Sequence, residues 1–551
     1  MADLQRPIIT TSRGKANAVT LSAASLAIAL LGGTSVLAQD AVGTPLETHG
    51  DRLFNFETGN LLPKGALKLW VGSHQTQPGI STAGTGNQIY YGGGEWGVSD
   101  RFQLGATFQY FQDPPHSPIL GSSPDSQFFT GSLQGKYQLY NDARWAIAAK
   151  GSVEYLSFES TLFGTDPGPN KSHLVGSFQL PITYKASDQL QFHFTPGISV
   201  FPSDINGNAY YGEVAYAGAG FSWKPNQRWL AYGSVNTPLS GGNTISSTQT
   251  ITKKAVWNLG ARYNVSPKAA VDLFVTNAWG VTPATSILTF FPDGNATMIG
   301  ATVTYTPGQG AGYRPNYRGI TSEPQSARNA SLQLDGFSLA SADTLSPGTV
   351  QISGFYGADD NAGGALIFSP DYDGQVEFVV ETPANDGSVP AGIVPNFNAR
   401  YWIGTKLRLM DQNNGSRFSL SLHPMLGRDT SAGQTGVLYL GMPMSYKAND
   451  RATITANPKF AAWGSTELYA LGLGLNYQVA RGFEAIAEVT PVSDGLDMVW
   501  AAGLRYQVPN STLHLDLHAT NAISRYGIGT MVAQDNVKIA FGATMLFNLK
   551  R

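Results

Sequence analysis

Three groups of side chains in this sequence have the types and spacing that chemistry needs. The first is "LHLDLHA", in which His514, Asp516 and His518 stand two apart. Imidazole and carboxylate are ligand types that zinc accepts. Period-two spacing puts all three on one strand face, but alternate strand residues are roughly 7 Å apart, too far to converge easily on one ion. The expectation is a wet strand face, with no metal and no cofactor. The second group is "RYWIGTKLRL", where Arg400, Lys406 and Arg408 share a face. With Arg505 they make a basic set of the kind that biases a lumen toward anions. The third is a pair of couples, Arg262 with Asp272 and Arg505 with Asp516, each flanking a short turn in similar surroundings. Each reads as an ion pair that either tunes an ion preference or satisfies two charges in a wall. Lys136, Lys150, Glu154 and Asn258 join these by strand parity. No Ser–His pair of the hydrolase kind stands out, no phosphate-binding glycine loop follows a strand, and no Cys/His cluster occurs, so no enzyme is expected.

The elements that carry these groups are strands. In "LVGSFQLPITY", Leu174, Gly176, Phe178, Leu180, Ile182 and Tyr184 alternate with Val175, Ser177, Gln179, Pro181 and Thr183. "FFTGSLQGKYQLY" alternates in the same way, and neither segment has the three-and-four spacing of an amphipathic helix. Charged residues are 13%, about half the usual share of a soluble domain, while aromatics are 11% and Gly is 63 of 551. No stretch offers the 18 apolar residues of a membrane helix. Such a chain fits an all-β transmembrane barrel, one strand face on lipid and the other on water. A net charge of −3 gives no reason to expect a nucleic-acid partner. There is no cysteine, so the chain is not a disulfide scaffold.

The first residues read as a secretory leader. Arg6, Arg13 and Lys15 precede an uncharged run from Ala16 to Ala38, with small residues before a cut after Ala38. Beyond it, short polar turns recur at 97–102, 140–145, 184–189, 223–229 and 263–269, flanked by Trp96, Tyr140, Trp145, Tyr184, Trp223, Trp229 and Tyr263. Longer breaks lie between them. Short turns on one side and long loops on the other, with an aromatic girdle, are the asymmetry of an outer-membrane barrel. Five such turns make twelve strands by Pro307. Five more, at 371–376, 411–418, 446–452, 477–483 and 506–512, make twelve again.

The two halves also match in letters. "PITYKASD" from Pro181 answers "PMSYKAND" from Pro443, and "VWNLGARYNV" from Val256 answers "VWAAGLRYQV" from Val499. "LFNFETGNLLPKG" from Leu53 loosely answers "GFSLASADTLSPG" from Gly336. The offset shrinks from 283 (336 less 53) to 262 (443 less 181) and 243 (499 less 256), so the second copy has shorter loops. The organisation expected is a leader at 1–38, a first barrel repeat at 39–307, a connector at 308–330 and a second repeat at 331–551.

The hairpin "WGVSDRFQLGATFQY" (Trp96 to Tyr110) resembles one recurrent in small outer-membrane barrels, and the nearest family that can be named is the one placed with meta-pathway phenol degradation. "LLPKGALKL" resembles such a barrel's opening strand. "GATVTY" and "GATMLF" resemble the terminal signal read by the barrel-assembly machinery, although Asn548 to Arg551 extend past the aromatic. The resemblance implies a location in the bacterial outer membrane, contact with its lipid, and a channel for small solutes. A closed structural or adhesive barrel with receptor-like loops is the other reading. Two arrangements fit twenty-four strands. Strands ~4.8 Å apart and tilted ~40° give a backbone diameter near ~24 Å for twelve and ~48 Å for twenty-four. The wider ring would need a plug, and the chain has no spare domain for one, which favours two tandem barrels. The oligomeric state has no signature in the sequence.

Overall fold

The computed structural model describes residues 44–76, 87–124, 126–163, 170–306, 317, 327–429, 436–463 and 466–549. The leader and most of the connector fall outside them. The alternating segments form strands throughout. The first half holds β1 (Leu67–Thr76), β2 (Gln88–Ser99), β3 (Phe102–Gln112), β4 (Ser126–Asn141), β5 (Trp145–Ser160) and β6 (Asn170–Gln179, resuming at Ile182–Lys185). It continues with β7 (Leu190–Val200), β8 (Glu213–Trp223), β9 (Trp229–Pro238), β10 (Val256–Asn264), β11 (Ala269–Thr276) and β12 (Met298–Tyr305). The second half holds β13 (Thr349–Gly357), β14 (Ala362–Asp371), β15 (Gly374–Thr382), β16 (Arg400–Met410), β17 (Ser419–Asp429) and β18 (Gly436–Gly441, resuming at Met444–Lys447). Then come β19 (Ala452–Trp463), β20 (Thr466–Ala480), β21 (Phe483–Thr490), β22 (Val499–Gln507), β23 (Leu513–Ala522) and β24 (Ala533–Asn548).

Each half closes on itself. β12 returns to β1, with Tyr305 opposite Leu69 and Met298 opposite Thr76. β24 returns to β13, with Asn548 opposite Thr349 and Phe547 opposite Val350. The result is two closed antiparallel barrels of twelve strands each, counting β6 and β18 once. These two pairings exclude a single twenty-four-stranded ring. β6 and β18 are both interrupted just before a proline, which has no N–H to give the ladder. The gap is bridged by carbonyls: Ala148 donates to Pro181 and Leu180 to Pro196, as Ser421 donates to Pro443 and Met442 to Pro458, all at 2.9 Å.

The outward faces are apolar and bare. Leu133 is 73% exposed and Leu174 76%, and Phe108, Phe178, Leu366, Leu473 and Phe541 are also open. In water such a surface would aggregate; in a bilayer it meets acyl chains. At the short-turn end the aromatics pair, Trp145 with Tyr184 (ring centroids 4.9 Å), Trp229 with Tyr263 (4.8 Å) and Phe483 with Tyr506 (4.3 Å). The turns are built to hold this edge. The Asp142 carboxylate accepts from the Tyr140 hydroxyl and from the amides of Arg144 and Trp145 at 2.6–2.7 Å. These bonds, the hydroxyl's first, hold its carboxyl below the usual carboxylate range. No helix among the described residues is long and apolar enough to cross a membrane.

The barrels also touch wall to wall. Tyr90 of β2 meets Tyr401 of β16 edge-on at 6.0 Å. Leu407 packs with Val265 and Val271. Arg428 of β17 points outward, where lipid would be hostile, and its two terminal nitrogens reach the Asp113 carboxylate at 2.7 Å, both side chains almost fully buried. Gly436 of β18 lies so close to the Gln88 side chain that a Cβ there would come within 2.0 Å of it.

Two outcomes follow from this architecture. Leu133→Arg, near the middle of β4, is expected to cost about 2–4 kcal/mol in a bilayer, read by urea unfolding in lipid vesicles; an unchanged midpoint would place that face out of lipid. Asp113→Ala leaves a buried guanidinium unpaired and is expected to cost about 3–5 kcal/mol, most of it recovered on adding Arg428→Met. A double-mutant cycle with no coupling would separate the two walls.

Candidate functional site: the filled lumens

Inward-facing positions of each barrel are polar, and both interiors are occupied by the chain itself. In the first barrel the filler is the stretch before β1. Arg52–Leu53 and Phe56–Glu57 form a miniature hairpin inside the ring. Phe54 at its tip has a positive φ of 44°, a backbone strain that only surrounding contacts can hold. Those contacts are aromatic: Phe54 stacks on Phe274 at 4.0 Å and meets His74 edge-on at 5.5 Å.

Around the hairpin runs a layer of opposite charges. Lys68 binds Asp51 at 2.5 Å and Glu95 at 2.8 Å. Lys150 binds Glu57 at 2.7 Å, and Lys136 reaches Glu57 at 3.4 Å and the Asp51 carbonyl at 2.8 Å. Gln103 donates to the other Asp51 oxygen at 2.9 Å. Glu154 does something else: it accepts from the Thr282 hydroxyl at 2.5 Å and the Ala284 amide at 2.6 Å, which pins the β11–β12 loop inside the mouth. Above this polar layer an apolar cluster closes the long-loop end, with Phe111, Phe128, Phe158, Phe163, Phe290 and Phe291 at its heart.

The second barrel is filled by the stretch before β13. Asp335 binds Lys406 at 2.7 Å, and its carbonyl accepts from Arg505 at 2.7 Å. Phe337 lies flat on His518, ring centroids 4.2 Å apart and 5° from parallel. Glu488 accepts from the Ser338 amide at 2.6 Å and its hydroxyl at 2.8 Å. Lys459 donates to the Ser338 carbonyl at 2.9 Å and to the Thr530 hydroxyl at 3.0 Å, which joins the filler to the inserted β23–β24 loop. That loop is seated by Trp402, whose indole N–H donates to Glu381 at 2.9 Å.

The residues singled out from sequence all lie buried. Arg262 and Asp272 are direct cross-strand partners, as are Arg505 and Asp516. The Arg262 Nε contacts both Asp272 oxygens at 3.1 Å, and Asn258 donates to Asn55 of the hairpin at 2.9 Å. Asp516 is shared by Arg505 and Arg525, each at 2.8 Å. His514, Asp516 and His518 therefore do not act together: the carboxylate serves two guanidiniums and one imidazole stacks on a filler. The basic face of β16 differs from the expectation of a free cationic set. Lys406 is neutralised by Asp335, and Arg408 by Asp373 at 3.4 Å and Asp411 at 3.2 Å. Those carboxylates come from outside the strand, so strand periodicity could not announce them. Asp51, Glu57, Lys68, Glu95, Asp335, Lys459 and Glu488 were not anticipated. Parity alone would have turned Lys68 and Glu95 inward.

A closed antiparallel ring with an apolar belt, an aromatic girdle and a polar interior is an outer-membrane β-barrel, and this chain holds two. No family model matches the sequence, and no curated protein matches it. Among solved structures it is similar to the KdgM porin (8% identity, 43% of this chain and 98% of that one, TM-score 0.28). It is similar to the NanC porin (10%, 44% and 99%, 0.27) and to the siderophore receptor PirA from Pseudomonas aeruginosa (8%, 89% and 81%, 0.24).

The seat of Trp402 yields a sharp expectation. A Cβ on Gly527, which has φ +50°, would lie 2.3 Å from the indole, and one on Gly427 2.4 Å. Gly527→Ala should cost about 1–3 kcal/mol through overpacking, more with the left-handed backbone, and should shift tryptophan emission. An unchanged midpoint and spectrum would remove the loop from the lumen.

Proposed function

We propose that this chain is an outer-membrane channel for small solutes, with two lumens that its own fillers hold shut in the state described above. The observation that carries this reading is how the first filler is held. Lys68, Lys136 and Lys150 grip it through Asp51 and Glu57, in addition to the aromatic packing of Phe54 and Phe56. Buried ion pairs are often no more stabilising than apolar side chains of the same volume. A barrel closed for good would be served as well by apolar side chains of the same volume on both surfaces. A filler that must leave gains from them, because charges on both surfaces are well hydrated once they part. The hairpin of Trp96 to Tyr110 supports placing the chain beside the small barrels of the phenol-degradation family, and the matching halves support an origin by duplication. β24 ends in the aromatic pattern that suits the assembly machinery, and the lumens carry no catalytic role in this reading.

A second reading is favoured by the apolar cap of the first barrel, whose phenylalanines pack as a core does. It makes the chain a closed barrel that works through its long loops. Single-channel recording in planar bilayers separates the two. Wild type should conduct rarely, and Asp51→Asn with Glu57→Gln should raise open probability at least tenfold without changing the size of the step. If neither protein ever conducts, the closed-barrel reading stands.

A further inference from the structure

Two buried histidines of the first barrel stand apart from the charge layer around its filler. His49 lies in the filler, just before the miniature hairpin, and His193 lies on β7. Ser222 of β8 stands between them. Its hydroxyl is 2.7 Å from the His49 Nδ1 and 3.0 Å from the His193 Nε2. The other His49 nitrogen, Nε2, faces the Asp188 carbonyl at 3.1 Å, and the other His193 nitrogen, Nδ1, faces the Thr183 hydroxyl at 2.8 Å. That hydroxyl also accepts from the amide of Gly59, on the far side of the hairpin, at 2.7 Å. The file thus ties both legs of the filler to β6, β7 and β8.

Its proton order follows from its end. A carbonyl only accepts, so His49 carries its hydrogen on Nε2 and leaves Nδ1 to accept from Ser222. The single Ser222 hydrogen is then committed, so the Ser222 oxygen accepts from the His193 Nε2–H. His193 Nδ1 is left to accept from Thr183, whose oxygen accepts from Gly59. Every donor meets an acceptor while both rings are neutral. A proton added at either Nδ1 forces a hydroxyl to turn its hydrogen away, and the file has no other acceptor for it. The surrounding charges do not invite that proton. Those acting on His49 are Lys224 and Asp188, and those acting on His193 are His49 and Lys136. The Glu47 carbonyl and the Glu57 carboxylate are occupied by those two lysines.

Burial holds the imidazole of His49, which belongs to the filler and to no strand, down to about 4. Once the filler leaves, the ring returns to its ordinary value near ~6.5. The seated form therefore binds fewer protons than the released one. Its stability is complete above about pH 6.5 and is lost as the pH falls from there to about 4. The second barrel lacks the device. Its equivalent cross-strand pair is Ser445 and Thr455, hydroxyl to hydroxyl at 3.5 Å, where the first barrel has Thr183 and His193.

We propose that His49, Ser222 and His193 form an acid-sensitive clamp, which holds the first filler in its lumen at neutral pH and releases it as the pH falls. As a gate for solute it rests on the channel reading; as a clamp on the filler it stands without it.

The chain has no cysteine, so Leu53→Cys, buried in the filler's hairpin, supplies a single reporter. The full chain is placed in lipid vesicles, and its labelling by a polar maleimide is divided by that of free cysteine at each pH. Between pH 7.5 and 5.0 the normalised rate should rise at least tenfold, and it should return on neutralisation. His49→Gln with His193→Gln should hold the rise below about threefold, and each single variant should lose part of it. His74, which meets Phe54, is present in all of them. A rise that survives the double variant therefore overturns the clamp. So does a reporter whose rate ignores pH, or a rise that does not reverse. A reversible rise without any conductance at pH 5.0 ends the channel reading and leaves the clamp standing.

Discussion

Everything in this molecule depends on backbone hydrogen bonding where there is no water. In hydrocarbon an open strand edge leaves N–H and C=O groups unpaired, each at a cost of several kcal/mol. The pairing of Tyr305 with Leu69, and of Phe547 with Val350, removes the last edges. Closure then dictates the rest. Period two sends Leu133 and Leu174 to lipid and Lys136 and Glu154 inward. It also creates two interiors too wide for wall side chains alone to fill.

The filling solves a packing problem and an electrostatic one together. A dry interior lined by lysines would be prohibitive unless each charge met its opposite. The hairpin of Arg52 to Glu57 brings Asp51 and Glu57 to the lysines of β1, β4 and β5, and its Phe54 and Phe56 fill space. The second barrel reaches the same end with different residues. Asp335 meets Lys406, and Phe337 meets His518. In both, the filler is the stretch just before the first strand, and the last long loop folds in from the other side. The position of each filler follows from connectivity: a segment tethered to an opening strand at the short-turn end has the lumen directly above it.

How much of this could be read from sequence follows from range. Turns and strands are local, and all ten short turns lie where alternation and polar breaks put them. The two Arg–Asp couples were visible because adjacent strands in a hairpin fix their own register. The fillers were not. "LFNFETGNLLPKG" and "GFSLASADTLSPG" match in letters but have no period, and their partners stand up to 231 residues away. A twenty-four-stranded ring would have needed a spare domain as its plug, whereas each twelve-stranded lumen is filled by the short stretch before its first strand. The neutralisation of β16 was hidden for the same reason, since Asp335, Asp373 and Asp411 lie in the filler and the turns.

Arg428 shows how a single residue can break the pattern and explain why. It sits on the outward parity of β17, beyond Leu420, Leu422 and Leu426, which face away from the lumen. Alone in lipid it would oppose membrane assembly. Bound to Asp113 at the edge of the other barrel, it turns that penalty into a requirement for contact. The walls around it carry the companion marks: a tyrosine pair, a leucine against two valines, and a glycine where Gln88 needs the room. A charge on the lipid parity of a barrel strand thus marks where lipid is absent. Here it marks a shared wall, and it makes two barrels with separate rings of hydrogen bonds depend on one another.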